Sequence, residues 1–312
     1  MTRERSALAA WIVLLALLAV LAPAFFAFGN LRDVVLSMVP VLVVAIGMTF
    51  VIVSGQIDIS IGSQFAVCSI AAGLMAVAGL PMVFVALGTC VLGIAFGLIN
   101  GALVSWLGVP SIVATLAMMV AAREGLRLGT GGAWVQNLPS TFQWLGLGQG
   151  AGQFVILLVA AVLFGVVAWA ARNVAGARAV YATGSDAEAA RLSGIDTRMV
   201  TLAVFAGMGA MAGLAAVLNA IRFSDVQSNA GVGLELKAIA AVVVGGASIT
   251  GGRGTLVGTL IGVALLGSIG PALTFLGISP YWEKAIQGGI ILTAVMGEAI
   301  AARRSRLSGR HA

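Results

Sequence analysis

The sequence predicts an all-α protein, a polytopic transmembrane bundle of about ten spans. Three observations predict it. Of 312 residues, 60% are hydrophobic and 9% charged, with a mean hydropathy of +1.10, whereas soluble domains carry roughly a quarter charged residues. Such a chain cannot cover itself with polar groups, so lipid is part of its solvent. Charge is absent from 6–31, 34–57, 59–122, 128–171, 199–221, 238–252 and 254–280. A hydrocarbon core of about 30 Å takes about 20 helical residues, so the longer gaps hold two spans each. Finally, the arginines flank these runs rather than forming one patch. That reads a pI of about 10.3 as contact with anionic headgroups of membrane lipid, and not as nucleic-acid binding.

The first span, 7–28, has the outline of a signal peptide with Ala22-Pro23-Ala24 at the cleavage position. Its apolar run continues through Phe25-Phe26-Ala27-Phe28, too long for a removed leader, so we read it as retained. Spans at 34–54, 61–79, 82–105 and 110–128 follow, with Pro81 and Pro110 at the breaks, as suits a residue lacking an N–H. A Gly-rich connection, 129–152, leads to 152–171. A charged connection, 172–198, leads to 199–221, 234–250, 255–277 and 283–302. The whole chain, 1–312, forms a single transmembrane domain.

Ten spans return the C-terminus to the side of the N-terminus. The cytoplasmic side then holds Arg3, Arg5, Arg172, Arg178, Arg191, Arg198, Arg253, Arg303, Arg304, Arg306 and Arg310, against Arg32, Arg123, Arg127, Arg222, Lys237 and Lys284 outside. The positive-inside rule therefore puts both termini in the cytoplasm.

Glycines recur every four residues at Gly93, Gly97 and Gly101, and again at Gly254, Gly258 and Gly262. At that spacing they share one helix face and let a second backbone approach. Two stretches, Ser54–Ser63 and Gly245–Thr255, each follow a Val-rich run and precede a span. This pairing carries the expectation of an internal duplication into parallel halves. Asp58 and Ser60 are expected to cap the third span with their side chains. Gly55, Asp58, Ser60, Gly62, Gly251, Gly252 and Gly254 form a candidate inner gate, since irregular Gly-bracketed segments at matching places of two halves mark transporter sites.

Within 172–198, Ser185 followed by Glu188 reads as a capping box, and Gly194 as a left-handed C-terminal residue. They bound a short helix, Asp186–Ser193, on the cytoplasmic side. A solvated surface helix is one reading; a docking helix for a partner's groove is the other. Candidate polar groups along a path through the membrane are Asn100, Thr115, Glu124, Asn219 and Gln287. Arg123 and Glu124 are costly in lipid unless paired or near the interface. Trp134, Arg222, Asp225, Tyr281, Trp282, Glu283 and Lys284 face outside, available to a soluble partner, while for the Trp and Tyr residues anchoring at the membrane interface is the simpler role.

Several chemistries are excluded. Cys68 and Cys90 lie in apolar spans and His311 is the only histidine, so no metal site or His-based catalysis is expected. Lys237 and Lys284 are the only lysines, and neither sits in a G-x-x-x-x-G-K-[ST] loop, so the chain does not hydrolyse ATP itself. An ion-coupled secondary carrier is the rival class; it would place carboxylates deep in spans, and the span middles almost lack them. An intramembrane hydrolase lacks its constellation. No cofactor is expected.

The segment "E-A-A-R-L-S-G-I" at Glu188–Ile195, preceded by "Y-A-T-G", resembles the cytoplasmic coupling segment of ribose-type ABC sugar permeases. So do "G-Q-I-D-I-S-I-G-S" at Gly55–Ser63, "G-L-E-L-K-A-I-A-A-V-V-V-G-G-A-S-I-T-G-G-R-G-T" at Gly233–Thr255, and "L-G-I-S-P-Y-W" at Leu276–Trp282. Gln56 departs, standing where the family usually carries a second glycine. "A-A-R-E-G-L" followed by "G-T-G-G-A-W-V-Q-N-L-P", ending at Pro139, is similar to the branch for rhamnose and for autoinducer-2. The resemblance implies a permease of the bacterial inner membrane, not an enzyme. It implies a second permease copy or paralogue, an ABC ATPase inside and a periplasmic sugar-binding protein outside. Ser185, Asp186, Glu188, Ala189, Arg191, Leu192 and Gly194 would then couple to the ATPase.

Overall fold

A computed structural model describes residues 2–290 together with 292, 293 and 296. The tail arginines Arg303, Arg304, Arg306 and Arg310, with His311 and the end of the span predicted at 283–302, lie outside those residues. The described chain is helical, and its only β contact is an isolated bridge between Val135 and Val226. The long helices are α1 (Thr2–Leu21), α2 (Phe28–Val53), α3 (Ile61–Val77), α4 (Met82–Ser105), α5 (Ser111–Thr130) and α6 (Gln149–Asn173). Two short ones follow, α7 (Ala175–Ser185) and α8 (Ala187–Leu192), then α9 (Thr197–Ala220), α10 (Leu234–Val244) and α11 (Leu256–Phe275). A last helix, α12, runs over 282–290.

Six of these, α1, α2, α4, α6, α9 and α11, are long and apolar enough to cross a membrane. α3 has 17 residues, and α5 carries Arg123, Glu124 and Arg127. The predicted span 234–250 is corrected: α10 has 11 residues, a rise of about 16 Å, half a bilayer. It ends at Gly245-Gly246, where Gly246 takes φ +100°, a conformation natural only to glycine. α7 was not foreseen as a helix of its own.

α2 is the central element. Fourteen of its 26 residues are buried, against four of 25 in α6, whose outward apolar face suits lipid, as does that of α1. α2 packs on α9, α11, α10 and α6. The closest pairing is α4 on α9. A Cβ on Gly93 would come closer than 3.0 Å to the Gly209 carbonyl, one on Gly97 to that of Phe205, and one on Gly213 to that of Thr89. The first glycine triplet is thus a packing face. The second packs likewise: Gly258 lies on Gly245 and Gly262 on Ala241, joining α11 to α10.

This yields a stability prediction. Gly209→Leu should abolish a stable fold in detergent, because inserted bulk costs about 1–3 kcal/mol even where side chains can adjust, and here the obstacles are the backbone of Gly93 and Gly97. Gly207→Leu, two residues away in open space, should melt like the unmodified protein. Thermal melts of the two solubilised variants check this.

α9 links two specialised ends. Its 24 residues span about 36 Å. α7 and α8 sit at its start, and segment 221–233 at its end. There the connection after α5 folds back: the Trp144 N–H donates to Ile221 O at 2.7 Å, the Leu138 N–H to Ser224 O at 3.0 Å, and Val135 and Val226 exchange bonds. Beyond Val226 the chain turns inward until Gly231 lies against Gly62 and Phe65 of α3.

Candidate functional site

α8 is bounded by its own sequence. Asp186 is extended (φ −161°, ψ 103°), which ends α7, and its carboxylate accepts the N–H groups of Glu188 at 2.9 Å and Ala189 at 3.0 Å. The cap is therefore Asp186, not Ser185, and the helix is Ala187–Leu192 rather than Asp186–Ser193. Ser185 is the last residue of α7. Glu188 does not close a capping box; it pairs with Arg191 one turn on. Asp186 won because its short carboxylate reaches the free N–H groups from the extended residue itself. At the other end Gly194 takes φ +85°, as expected. The Gly194 N–H donates to Arg191 O and the Ile195 N–H to Ala190 O, each at 3.0 Å, a complete Schellman closure. Ala190 is buried beneath the helix, while Ala189, Glu188 and Arg191 face outward.

The end of α7 is locked into both glycine turns. A Cβ on Gly184 would come closer than 3.0 Å to Val53 O and to Gly252 N. The Gly252 N–H donates to Val53 O at 2.8 Å, and Tyr181 Oη donates to Gly254 O at 2.8 Å. Gly251 packs on Gly184 and Gly55, and Gly252 on Ser185. The turns at 54–60 and 245–255, predicted to correspond, meet each other and α7 at one node. Gly55 (φ +79°) closes α2, with the Gly55 N–H on Ile52 O and the Gln56 N–H on Val51 O. Gln56 needs no positive φ, so its departure from the family glycine costs the backbone nothing.

Beside the node lies a buried polar knot. Asp58 is fully buried and accepts the Ser60 N–H at 2.9 Å, the Ser60 hydroxyl at 2.5 Å and the Gln64 amide at 3.4 Å. Ser60 Oγ in turn accepts from Gln64 and Asn100, at 2.7 and 2.8 Å. Burial pushes the Asp58 carboxyl, in the connection outside both helices, up to about 6, while the donors of Ser60, Gln64 and Asn100 hold it down. The predicted side-chain capping of α3 is corrected: Ser60 caps through its backbone carbonyl, taking the Ser63 and Gln64 N–H groups, because its hydroxyl is spent on Asp58. Thr115 braces the same segment, accepting the Ile59 N–H at 3.2 Å.

The predicted polar path divides. Asn100 and Thr115 join this knot. Glu124 is exposed and pairs with Arg127 at 2.8 Å, and Arg123 donates to Ala230 O at 3.1 Å. Gln287 donates to Glu283 at 2.9 Å, and Glu283 pairs with Lys237 at 2.7 Å. Asn219 lines a cavity of about 470 Å³ at the far end of α9, together with Ser37, Phe65, Ser69, Trp134, Phe223, Asp225, Gln227 and Lys237. Of the residues expected to face a soluble partner, Arg222 is spent inward on Leu36 O at 3.0 Å and Glu283 on Lys237. Tyr281, Trp282 and Lys284 are exposed, and Asp225 is half-buried. Ser69 went unremarked in the sequence. It carries no local signal: it is one polar residue within an apolar run, and only its neighbours across the fold distinguish it.

Comparison with known proteins matches residues 30–295 to the family described as branched-chain amino acid transport system / permease component. An autoinducer 2 import system permease protein of Salmonella typhi is 37% identical over 290 residues, covering 93% of this chain and 84% of its own length. The ribose import permease protein of Escherichia coli strain K12 is 35% identical over 298 residues, with 94% and 92% covered. A Shigella flexneri autoinducer 2 import permease is 34% identical, with 94% and 86% covered. No solved structure matches the chain.

Proposed function

Since the chain belongs to the family of transport-system permease components, we propose that it conducts a monosaccharide inward as the membrane subunit of a binding-protein-dependent ABC importer. It is a transport subunit and not an enzyme. Relatives named for autoinducer 2 and for ribose support a sugar substrate, and the segment 121–139 favours rhamnose or autoinducer-2. An ABC ATPase and a soluble binding protein are its partners. A second permease copy or paralogue completes the pathway.

One observation carries the coupling mechanism: the outward face of α8 and the inner glycine turns share a rigid junction at Gly184. We assign α8 to the ATPase surface. Closure of the ATPase dimer would push α8 and α7 as one body, and the packed glycines would pass that displacement to the turns at Gly55 and Gly251–Gly254. Interfaces packed this closely switch between arrangements rather than deform smoothly. Those turns then act as the inner gate, and the Asp58 knot keeps the first of them rigid. The arrangement of α2–turn–α3 beside α10–turn–α11 also supports parallel halves.

The test of substrate is uptake of labelled rhamnose and autoinducer-2 in a strain lacking this gene. We expect loss of one of them, restored by the gene. Normal uptake of both with loss of ribose or xylose would move the assignment to that sugar, and normal uptake of all four would sink the sugar reading.

Ten crossings with both termini cytoplasmic is the topology we propose for the inner membrane, α10 making its crossing as a half-length helix continued by the non-helical turn at 245–255, packed within the protein. Reporter fusions after Arg310 and within Arg172–Arg198 should read as cytoplasmic, and fusions within Gly129–Gly152 as external. A tail read outside would mean a count wrong by one span.

A further inference from the structure

We infer that the cavity at the outer end of α9 is a sugar-binding subsite within the permease itself, with Ser69 as its floor. The inference rests on the proposed import of a sugar and adds where that sugar is held.

The carrying observation is Ser69 Oγ. Helix-borne hydroxyls in this protein habitually bond their own preceding turn: Ser37 to Val34 O, Thr49 to Ala45 O, Thr89 to Val85 O, Thr259 to Thr255 O and Ser268 to Ala264 O. Ser69 is 1% exposed, and its hydroxyl has no partner among the described residues. An unsatisfied buried hydroxyl costs about 1–3 kcal/mol. Ser105 and Thr183 also lack partners, but neither borders this cavity. Ser69 does border it from just beneath its accessible wall, so a turn about χ1 brings the hydroxyl to a polar group bound there.

The rest of the wall suits a ring with apolar faces and a hydroxyl edge. Phe65, Trp134 and Phe223 offer aromatic surface, and Ser37, Asn219 and Gln227 offer donors and acceptors. The volume, about 470 Å³, lies within the roughly 300–1,000 Å³ of small-molecule sites. Charge selects the ligand class. Lys237, the cation on the wall, is already paired with Glu283 at 2.7 Å. Its charge is therefore not open to a carboxylate, and Asp225, the anion on the same wall, repels one, which disfavours an amino acid and favours a neutral polyol.

The experiment uses the assembled importer in nanodiscs, without the binding protein. Tryptophan emission is titrated with L-rhamnose, autoinducer-2, D-ribose and L-leucine, and uptake is measured in parallel in proteoliposomes containing the loaded binding protein. We expect a sugar-dependent emission change that Trp134→Phe removes, with no response to leucine. Ser69→Ala should raise the apparent Kd about three- to tenfold, the value of one hydrogen bond. Ser69→Leu, filling the cavity, should cut uptake at least about tenfold while the ATPase stays bound. An emission change with leucine alone, or sugar binding and uptake unaltered by both Ser69 variants, would overturn the subsite and leave the permease assignment standing. Failure of the unmodified importer to carry L-rhamnose, autoinducer-2 and D-ribose alike would instead remove the reading on which the subsite rests.

Discussion

Gly184→Ala should give an importer that assembles with its ATPase yet transports at background rate. The added methyl has no room. It would stand closer than 3.0 Å to the Val53 carbonyl and would crowd the Gly252 N–H that donates there. All the obstructing atoms are backbone, so α7 must back away from both turns. Overpacking costs about 3 kcal/mol at its upper range, and a strain of that size borne by one of two states shifts their balance about a hundredfold. We therefore expect uptake to fall on the order of a hundredfold, with basal ATP hydrolysis retained and stimulation by the loaded binding protein lost. Gly176→Ala is the control on the same helix. Nothing lies within 4 Å of its Cβ position, and the exchange should be neutral or stabilise α7 by about 0.5–1 kcal/mol. Equal activity of the two variants would remove Gly184 from the coupling route.

Substitutions on the outward face of α8 should break coupling from the other side. Arg191 is exposed, and its guanidinium pairs with Glu188 on the same helix. Arg191→Glu places like charges three residues apart, a loss of about 0.2–0.5 kcal/mol, too small to melt a helix held by Asp186 and Gly194. Ala189→Trp adds bulk on an exposed face and likewise disturbs nothing inside. Both variants should insert and express normally, lose substrate-stimulated ATP hydrolysis and uptake at least about tenfold, and retain less ATPase on purification. If both transported normally with the ATPase bound, α8 would be a solvated surface helix, and the Gly184 junction would serve packing alone.

These two experiments address a site that was only half visible in the chain. The helix 187–192 was legible because caps are local: an Asx residue before the first turn and a glycine after the last determine its ends within ten residues. The particular cap was misread because Ser185 and Asp186 are adjacent candidates, and extended backbone at Asp186 decided between them. Gly55–Ser63 and Gly245–Thr255 were legible as irregular turns between apolar runs. Their contact with each other and with α7 was not, since nothing in either turn encodes the other's position.

By itself the sequence determined the lipid environment, the all-helical class and the approximate limits of the long helices. Those depend on runs of apolar side chains and on where glycine and proline interrupt them, quantities set within about 20 residues of chain. Tertiary structure decided which polar groups are spent and which remain free. Tyr181 bonds a carbonyl 73 positions away and Arg222 one 186 positions away. Glu283 was read as facing a soluble partner and is instead paired to Lys237. Ser69 looks like any hydroxyl in an apolar helix until segment 221–233 and the connection after α5 close over it. In a bundle whose surface is solvated by lipid, hydropathy says that a residue lies within the membrane. Only the packing of helix on helix says whether it faces lipid, a neighbour or a cavity.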